Sequence, residues 1–327
     1  MRPPAHRCTF VIDTAPMSNP LTIDQQVLHV HVAMQNLAHG RAVNDIAADI
    51  GKSRFATARM IKRARTLGLV EVRPTVSAPV DVGLSAQLTQ RYGLRGALVV
   101  ATHSADVAQT RAEIARITAR FIVDNVAEDD ILGFAPGRTL VLASRMIEQL
   151  SSADVVQLTG VGAPRLEDGV EVISNLGRLA GGATHPLYAP GILTKDPEAR
   201  VILRHPAIQR TLHKLDHIDK AFLTIGGWPE ASLMAGQLFD LGEREEYEAK
   251  GVVAEIGTML LDEAGRTVPG LDDRFVGISE EQLRRVGMRV AIGGGPGKEH
   301  AVLAVLRSQV ADHLITDIRC AKAALAA

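Results

Sequence analysis

The sequence lacks most of the features that would set it apart from an ordinary globular protein. It has only two cysteines, Cys8 and Cys320, near opposite ends of its 327 residues. Such a pair can form neither a disulfide framework nor a zinc site, which favours a reducing cytoplasm. No apolar run reaches the roughly 18 residues needed to span a bilayer, and the 11 histidines show no metal-ligand spacing. We therefore expect a cytoplasmic protein without metal, cofactor or membrane partner.

The composition that is present suits a large folded chain. Hydrophobic residues make up 46% and charged residues 22%, which excludes a largely disordered protein. The length predicts two domains, or one large domain and a small one. Residues 1–20 place prolines and polar residues around a short apolar stretch and lack the hydrophobic region of a signal peptide. We interpret them as a disordered arm, or as sequence upstream of a start at Met17.

Charge is distributed unevenly between a small head and a larger remainder. Residues 1–80 carry 10 Lys and Arg against 5 Asp and Glu, a net of +5. The remainder carries 26 against 32, a net of −6. A basic head on an acidic body suits a head that meets a polyanion. Because an excess of five charges also arises by chance, the positions of the basic residues must decide.

Residues 21–75 have the periodicity of three helices followed by a strand. The predicted helices are Ile23–Ala38, Val43–Ile50 and Arg54–Leu67, and the predicted strand is Gly68–Arg73. Gly51 supplies a tight turn between the second and third helices, and Ser53 is placed to cap the third. This arrangement is a helix-turn-helix pattern, and the strand indicates its winged variant.

The third predicted helix has a buried face and a basic face. Thr57, Ile61 and Ala64 form the inner face. The outer face can enter the major groove of DNA, where arginines contact guanine edges or phosphates and lysines contact phosphates. The predicted DNA-contacting residues are Ser53, Arg54, Ala58, Arg59, Lys62 and Arg63. The alternative is a structural three-helix domain whose basic face is merely solvated.

Residues 76–92 are predicted to link this head to residues 93–327, since prolines punctuate Pro74–Gly83 ahead of a short helix, Leu84–Tyr92. Beyond them, short apolar strands alternate with amphipathic helices. The predicted strands are Ala97–Thr102, Asp130–Phe134, Val155–Leu158, Ala221–Ile225, Val290–Gly293 and His313–Thr316. This alternation predicts an α/β fold with a Rossmann-like, doubly wound parallel sheet. Ligands of such sheets bind beyond the carboxyl ends of the strands.

Two of the predicted strand-to-helix turns are rich in glycine. Gly133–Thr139 and Gly293–Lys298 each lead into a helix, whose first N–H groups and dipole favour an anion. Lys298 could neutralise a phosphate. The second turn is one residue too short for a P-loop, and Glu299 replaces the hydroxyl that would hold magnesium. Ordinary turns also use glycine freely, but two such loops in one sheet favour a phosphorylated small ligand.

Three acidic positions are weaker candidates. The segment Leu271–Ile278 holds Asp273, which could accept sugar hydroxyls or lie in a solvent-facing turn. Glu255 is an acid among apolar residues, where carboxylates are often capped or paired. Asp317 ends the last strand and could cap a helix or touch a ligand.

Ordered segments along residues 23–320 resemble the SorC/DeoR-type bacterial sugar regulators. Among them are Val43–Arg54 in the head and, in the body, Gly133–Thr139, Leu187–Pro190, Asp273–Ile278 and Gly293–Lys298. The resemblance implies a winged helix-turn-helix joined to a domain related to sugar-phosphate isomerases and deaminases. It also implies a homo-oligomer whose affinity for operator DNA responds to a phosphorylated sugar.

The same resemblance assigns the effector-binding residues. It implies that the phosphate is held by Gly137, Arg138, Thr139 and Lys298. It implies that the sugar hydroxyls face Glu255, Asp273 and either Gln157 or Asn175. Pro136 stands where the family usually has an aromatic residue. This departure predicts that the first loop differs in shape from that of the family.

The favoured function is therefore a DNA-binding regulator of a carbohydrate catabolic operon, not an enzyme. The alternative is an isomerase-like or deaminase-like enzyme acting on sugar phosphates. That alternative requires a placed acid and base near the phosphate loops. The Asp-Gly-His run of such deaminases is absent from the sequence, and the basic head would have no role.

Overall fold

The structure is a computed structural model that describes residues 21–70, 80–102, 106–162 and 166–327. It divides into two compact units, with the division after Thr75. Within the described ranges, no helix is both long enough and apolar enough to cross a membrane. The predicted arm, residues 1–20, lies outside the described residues.

The head consists of three helices around a small core. They are α1 (Ile23–Leu37), α2 (Val43–Asp49) and α3 (Arg54–Thr66), each one residue shorter than predicted. Ser53 begins α3, its hydroxyl accepting a hydrogen bond from the Ala56 N–H at 3.2 Å. Val32, Ile46 and Ile61 form the centre of the core. Of the predicted wing strand, Gly68–Val70 form a turn and a bend, and residues 71–73 lie outside the described residues.

The body is an α/β unit built on one large sheet. Its strands are β1 (Gly96–Val100), β2 (Asp130–Phe134), β3 (Ala153–Gln157), β4 (Gly181–His185), β5 (Lys220–Gly227), β6 (Val252–Ile256), β7 (Met259–Asp262), β8 (Met288–Ile292) and β9 (His313–Asp317). Seven strands follow the order β1-β9-β8-β5-β2-β3-β4, and every pair along it is parallel. The predicted fold class is confirmed.

Helices cover both faces of this sheet. They are α4 (Val82–Tyr92), α5 (Val107–Asn125), α6 (Arg138–Met146), α7 (Leu166–Ala180), α8 (Pro206–Lys214), α9 (Leu233–Asp240), α10 (Arg244–Ala249), α11 (Glu280–Arg285), α12 (Glu299–Ser308) and α13 (Ile318–Ala326). One apolar core joins the sheet to α5, α6 and α7. The other joins it to α4, α12 and α13. Phe134 and Phe222 stack at 5.0 Å between ring centroids, tying β2 to β5.

The structure of the body differs from the sequence-based prediction at α4, at the β6–β7 hairpin and at β4, a parallel strand that was not predicted. Part of the predicted linker, residues 76–92, is α4, whose Leu88 is completely buried in the body's core. The hydroxyl of Ser85 also accepts the Val99 N–H at 3.0 Å, so α4 belongs to the sheet that it precedes. The prediction also missed the antiparallel hairpin of β6 and β7, which extends the sheet beside β5.

The order of the strands creates a crevice between β2 and β5. From β2 the chain proceeds outward through β3 and β4, and it then returns to β5 and continues outward on the other side through β8 and β9. Connections therefore leave the carboxyl ends of β2 and β5 in opposite directions. Open α/β sheets bind their ligands at such a switch point.

Candidate effector pocket and DNA-contacting face

A cavity of about 660 Å³, counting its opening to solvent, lies at this switch point. The β2–α6 loop, the end of β5 and the start of α12 converge there. Five of the eight predicted effector residues line it, namely Gly137, Arg138, Thr139, Glu255 and Lys298. Residues separated by up to 161 positions in the chain thus meet in one pocket.

The first loop is held so closely against β5 that Gly137 cannot carry a side chain. A Cβ at this position would lie 2.5 Å from the Cγ2 of Thr224. The Thr224 hydroxyl donates to the Pro136 carbonyl at 2.7 Å, which fixes the approach. Gly137 is the N-cap of α6 and offers no capping side chain. The first N–H groups of α6 therefore remain available to an anion in the pocket.

The second loop is fixed from within the body by Asp317. This carboxylate accepts hydrogen bonds from the Gly295 N–H and, at 2.8 Å, from the Cys320 N–H at the start of α13. Of the two roles considered for Asp317, the structure shows the helix cap. A Cβ at Gly294 would lie 3.1 Å from the Asp317 Oδ2, so the loop packs tightly on its anchor.

Lys298 is the cation that the second loop brings to the pocket. Its Nζ donates to the Ile225 carbonyl at the end of β5. The pKa of Lys298 is lowered to about 8, chiefly by burial; Glu255 opposes this shift, and the nearby Arg138 and Arg111 add to it. A second negative charge in the pocket would favour the protonated lysine, so this site is suited to an anion.

Glu255 lies in the pocket wall and caps a helix. Its carboxylate accepts hydrogen bonds from the Ser232 hydroxyl and from the N–H groups of Leu233 and Met234, both at 2.8 Å. These contacts fix the start of α9. Burial raises the pKa of Glu255, and the same hydrogen bonds oppose that rise. The carboxylate is therefore rigidly held beside the pocket, with part of its accepting capacity already used.

The structure does not bring the other three predicted residues into this cavity. Gln157 is buried, donating to the Thr159 carbonyl at 2.7 Å and accepting from the Leu187 N–H at 3.2 Å. Asn175 donates to the Ser144 hydroxyl at 3.1 Å. The Asp273 side chain is 92% exposed, in a surface turn. Asp273 therefore lies in a solvent-facing turn, which was the second of the two interpretations given for this segment.

Sequence reasoning missed several lining residues because they come from unremarkable segments. Arg111 of α5 and Thr224 of β5 line the pocket, as does Ser232, the N-cap of α9. A second cavity shares Thr224, Leu233 and Glu255 with the first and extends toward Gln237. Five of its lining residues are glycines, which leaves room beside the polar amide of Gln237. The two cavities together offer a subsite suited to an anion and an adjoining, less charged space.

The exposed face of α3 carries the predicted DNA-contacting residues. Ser53, Arg54, Ala58, Arg59, Lys62 and Arg63 are all exposed, whereas Thr57, Ile61 and Ala64 are buried. Phe55 was not singled out by sequence reasoning. Its side chain is 80% exposed. The helical periodicity of the sequence could have revealed this exposed phenylalanine beside Arg54.

One unit presents an exposed basic helix and the other holds a pocket lined by Lys298 and Arg138, and comparison with known proteins gives the family. Residues 79–326 match the model of the family described as putative sugar-binding domain, and the chain belongs to this family. The Uncharacterized transcriptional regulator YjhU of Escherichia coli is 24% identical over 94% of this chain and 96% of its own. The Deoxyribonucleoside regulator of Bacillus subtilis is 24% identical over 92% and 97%.

A solved structure supports the same fold across both units. The full-length Sorbitol Operon Regulator SorC from Klebsiella pneumoniae superposes with a TM-score of 0.67. It is 21% identical and covers 92% of this chain and 99% of its own. The relatives are transcriptional regulators rather than enzymes, and the resemblance to SorC/DeoR-type regulators is confirmed.

Proposed function

We propose that this protein is a DNA-binding transcriptional regulator of a carbohydrate catabolic operon, controlled by a phosphorylated sugar. The observation that carries the proposal is the pocket at the switch point. There, Lys298 lines the same cavity as the uncapped N-terminus of α6, of which Arg138 is the first residue. Cations and free N–H groups in one crevice suit a phosphate.

The arrangement of the neighbouring cavity supports a sugar as the rest of the effector. With the phosphate against Lys298, the remainder would extend past Glu255 toward Gln237. A rigid carboxylate and an amide are suitable hydrogen-bond partners for hydroxyl groups. The names of the sorbitol operon and deoxyribonucleoside regulators point to the same class of effector.

A direct binding experiment tests this function. The full chain is titrated against duplex DNA from upstream of its own gene, with a scrambled duplex as control. We expect a preference of about 1,000-fold or more for the upstream duplex, since the usual range for specific over non-specific binding begins there. A phosphorylated sugar from a thermal-shift screen should then change that affinity. Equal affinity for both duplexes would contradict the proposal.

The division between the two units also has a proposed role, in which residues 21–75 bind operator DNA and the remainder binds effector. A chain that begins at Val76 keeps Asp81, whose carboxylate accepts the Leu84 N–H at 2.9 Å and caps α4. We expect this chain to fold and to bind the effector. A chain that begins at Leu84 loses the cap and should unfold at a lower temperature. Equal melting temperatures of the two would contradict this boundary.

A stripe on α1 supports the proposed homo-oligomer. Ile23, Val27, Val30, Met34 and Leu37 are spaced alternately by four and three residues, as in a helix that pairs with another. Ile23 is 75% exposed and Val27 is 64% exposed. Asp24 is the only Asp, Glu, Lys or Arg of α1, so a second copy would meet little like-charge repulsion.

Disulfide cross-linking tests this pairing. Val30→Cys lies at the centre of the stripe, and Ala48→Cys on α2 is the exposed control. Both are made in a full chain with Cys8→Ser, since Cys320 is buried. We expect rapid covalent dimers only from Val30→Cys. Equal rates for the two variants would exclude the stripe as the interface.

A further inference from the structure

The outer side of α3 carries an apolar side chain near the N-terminal end of the helix. Phe55, Arg59 and Lys62 are spaced i, i+4 and i+7, so they form one stripe along the helix. Phe55 lies two positions from buried Thr57, which is about 200° around a helix of 3.6 residues per turn. It therefore points directly away from the head's core. We call Phe55, Arg59 and Lys62 the outer stripe.

Phe55 has no packing role that would account for it. At 80% exposure it is the most exposed large hydrophobic side chain that the structure describes. The core of the head is formed by residues such as Val32, Ile46 and Ile61, and Phe55 is not among them. Covering an exposed aromatic side chain removes apolar surface from water, so a partner that covers Phe55 would gain binding free energy.

The charge of α3 identifies the chemistry of that partner. The helix carries five Lys or Arg residues and no Asp or Glu, namely Arg54, Arg59, Lys62, Arg63 and Arg65. Such a surface would attract a polyanion and would repel a second copy of itself. Two of the cations share the outer stripe with Phe55. The partner that covers Phe55 is therefore duplex DNA.

Only one group in the major groove suits a phenylalanine. Bases present hydrogen-bonding atoms there, with one apolar exception, the C5-methyl group of thymine. In helix-turn-helix proteins the N-terminal residues of the recognition helix contact base edges. Phe55 is the second residue of α3, at that end of the helix.

We propose that Phe55 recognises the methyl group of a thymine in the operator and so sets sequence specificity. This inference rests on the proposed DNA binding. Arg59 and Lys62 contribute affinity from the same stripe, whereas Phe55 distinguishes thymine from the other bases. The exposed position means that replacing Phe55 leaves the buried core of the head unchanged.

Uracil substitution tests the proposal, because deoxyuridine differs from thymidine only in lacking the methyl group. A preferred duplex is first selected from a random pool with the full chain. Each thymine of a half-site is then replaced by uracil, one at a time. We expect one replacement to weaken wild-type binding about 3- to 10-fold, the scale of burying one methyl group.

The variants show whether Phe55 is responsible. Phe55→Ala should bind the thymine and uracil duplexes equally at that position, and Phe55→Leu should retain part of the discrimination. Arg59→Ala should bind both more weakly and keep the full ratio. Melting temperatures check that the head is folded in each variant.

The outcomes separate this inference from the proposed function. If the selection enriches no sequence, both are overturned. If a sequence is enriched but Phe55→Ala discriminates uracil as the wild type does, only the role of Phe55 is overturned. The same conclusion follows if no uracil replacement affects the wild type.

Discussion

The pocket of the body and the outer face of α3 are organised in opposite ways. In the pocket, the polar groups are positioned by the protein itself: Thr224 fixes the first loop, Asp317 the second and Glu255 the start of α9. On α3, the long cations and Phe55 extend into solvent from a helix with a small buried face. The pocket is thus preorganised, whereas the side chains on this helix surface would be ordered by a partner on contact.

The largest expected effect comes from disturbing the preorganised loop. In Gly137→Ala, the new Cβ would collide with Thr224 and displace the start of α6. We expect effector binding to fall more than 100-fold in calorimetry and stability to fall by about 2–4 kcal/mol. As a control, Gly287→Ala would place its Cβ at an ordinary 3.4 Å from the Asp219 carbonyl oxygen, without a left-handed φ, and should retain binding.

The double variant Gly137→Ala/Thr224→Ala identifies the cause of that loss. Thr224→Ala removes the two nearest contacts of the new Cβ, the Cγ2 at 2.5 Å and the Oγ1 at 2.6 Å, and leaves the Thr224 Cβ position at 2.9 Å, so part of the binding should return. If the double variant is no better than Gly137→Ala, contact with Thr224 is not what positions the loop.

Removing the pocket cation should have the next largest effect. Because a charge-assisted hydrogen bond contributes about 1.5–3 kcal/mol, Lys298→Ala should weaken binding of the phosphorylated sugar roughly 10- to 100-fold. DNA binding by the free protein should hardly change. Lys322→Ala, on an exposed position of α13, is the matched control. Unchanged calorimetric affinity in Lys298→Ala would mean that the loops are ordinary strand-helix turns.

On the head, substitutions should alter DNA binding and leave the pocket intact. Arg54→Ala or Arg59→Ala should cost about 1–3 kcal/mol if the residue contacts a base, whereas Lys62→Ala should weaken all sequences alike and reduce the salt slope by about 1. Fluorescence anisotropy at several salt concentrations measures both. Intact specificity in the double variant Arg54→Ala/Arg59→Ala would exclude these arginines from base recognition.

The smallest expected effect is a dependence on pH that only the pocket should show. The pKa of Lys298 is about 8 in the free protein, below its ordinary value of 10.5, and a bound phosphate would raise it. Above pH 8, binding must therefore take up a proton, so effector affinity should fall as pH rises, by at most tenfold per unit. Without effector, Lys298 has a pKa of about 8 in the folded protein and about 10.5 in the unfolded chain. Between these two values the unfolded chain binds more protons than the folded protein, so Lys298 makes the free protein more stable as pH rises.

Calorimetry between pH 7 and 9.5 measures this dependence. Lys298→Arg keeps its charge over the whole range and should remove most of the dependence. A wild-type affinity that is flat across the range would show that the charge on Lys298 does not contribute to effector binding.

The sequence predicted features that depend on short-range patterns. The three head helices, six of the seven parallel strands of the central sheet and the two glycine-rich loops all follow from periodicity and turn chemistry, whereas β4 was not predicted. The hairpin of β6 and β7 had a signal too, a two-residue Gly257-Thr258 turn in which Gly257 has a φ of 60°. Part of the predicted linker is α4, because the boundary was drawn after the helix predicted over Leu84–Tyr92 rather than before it.

Features that depend on distant contacts could not be predicted. Glu255 caps α9 through Ser232, which lies 23 positions away in the chain. Arg111 comes to the pocket from α5, and nothing in the local sequence marks it. Asp273 had the right residue type near a matching motif, yet its carboxylate is exposed beside Arg200 at 3.7 Å. Residue type and spacing alone do not determine which side of a turn faces the pocket.

The most direct test of the account is whether the pocket controls the head. Operator affinity of the full chain is measured with a phosphorylated sugar and with its unphosphorylated counterpart, for the wild type and for Lys298→Ala. We predict that the phosphorylated sugar alone changes the operator affinity of the wild type by about 5- to 150-fold, the usual range of such coupling. The variant Lys298→Ala should need a much higher concentration of the phosphorylated sugar for the same change. An operator affinity that neither sugar changes, or that both change equally, would contradict the account.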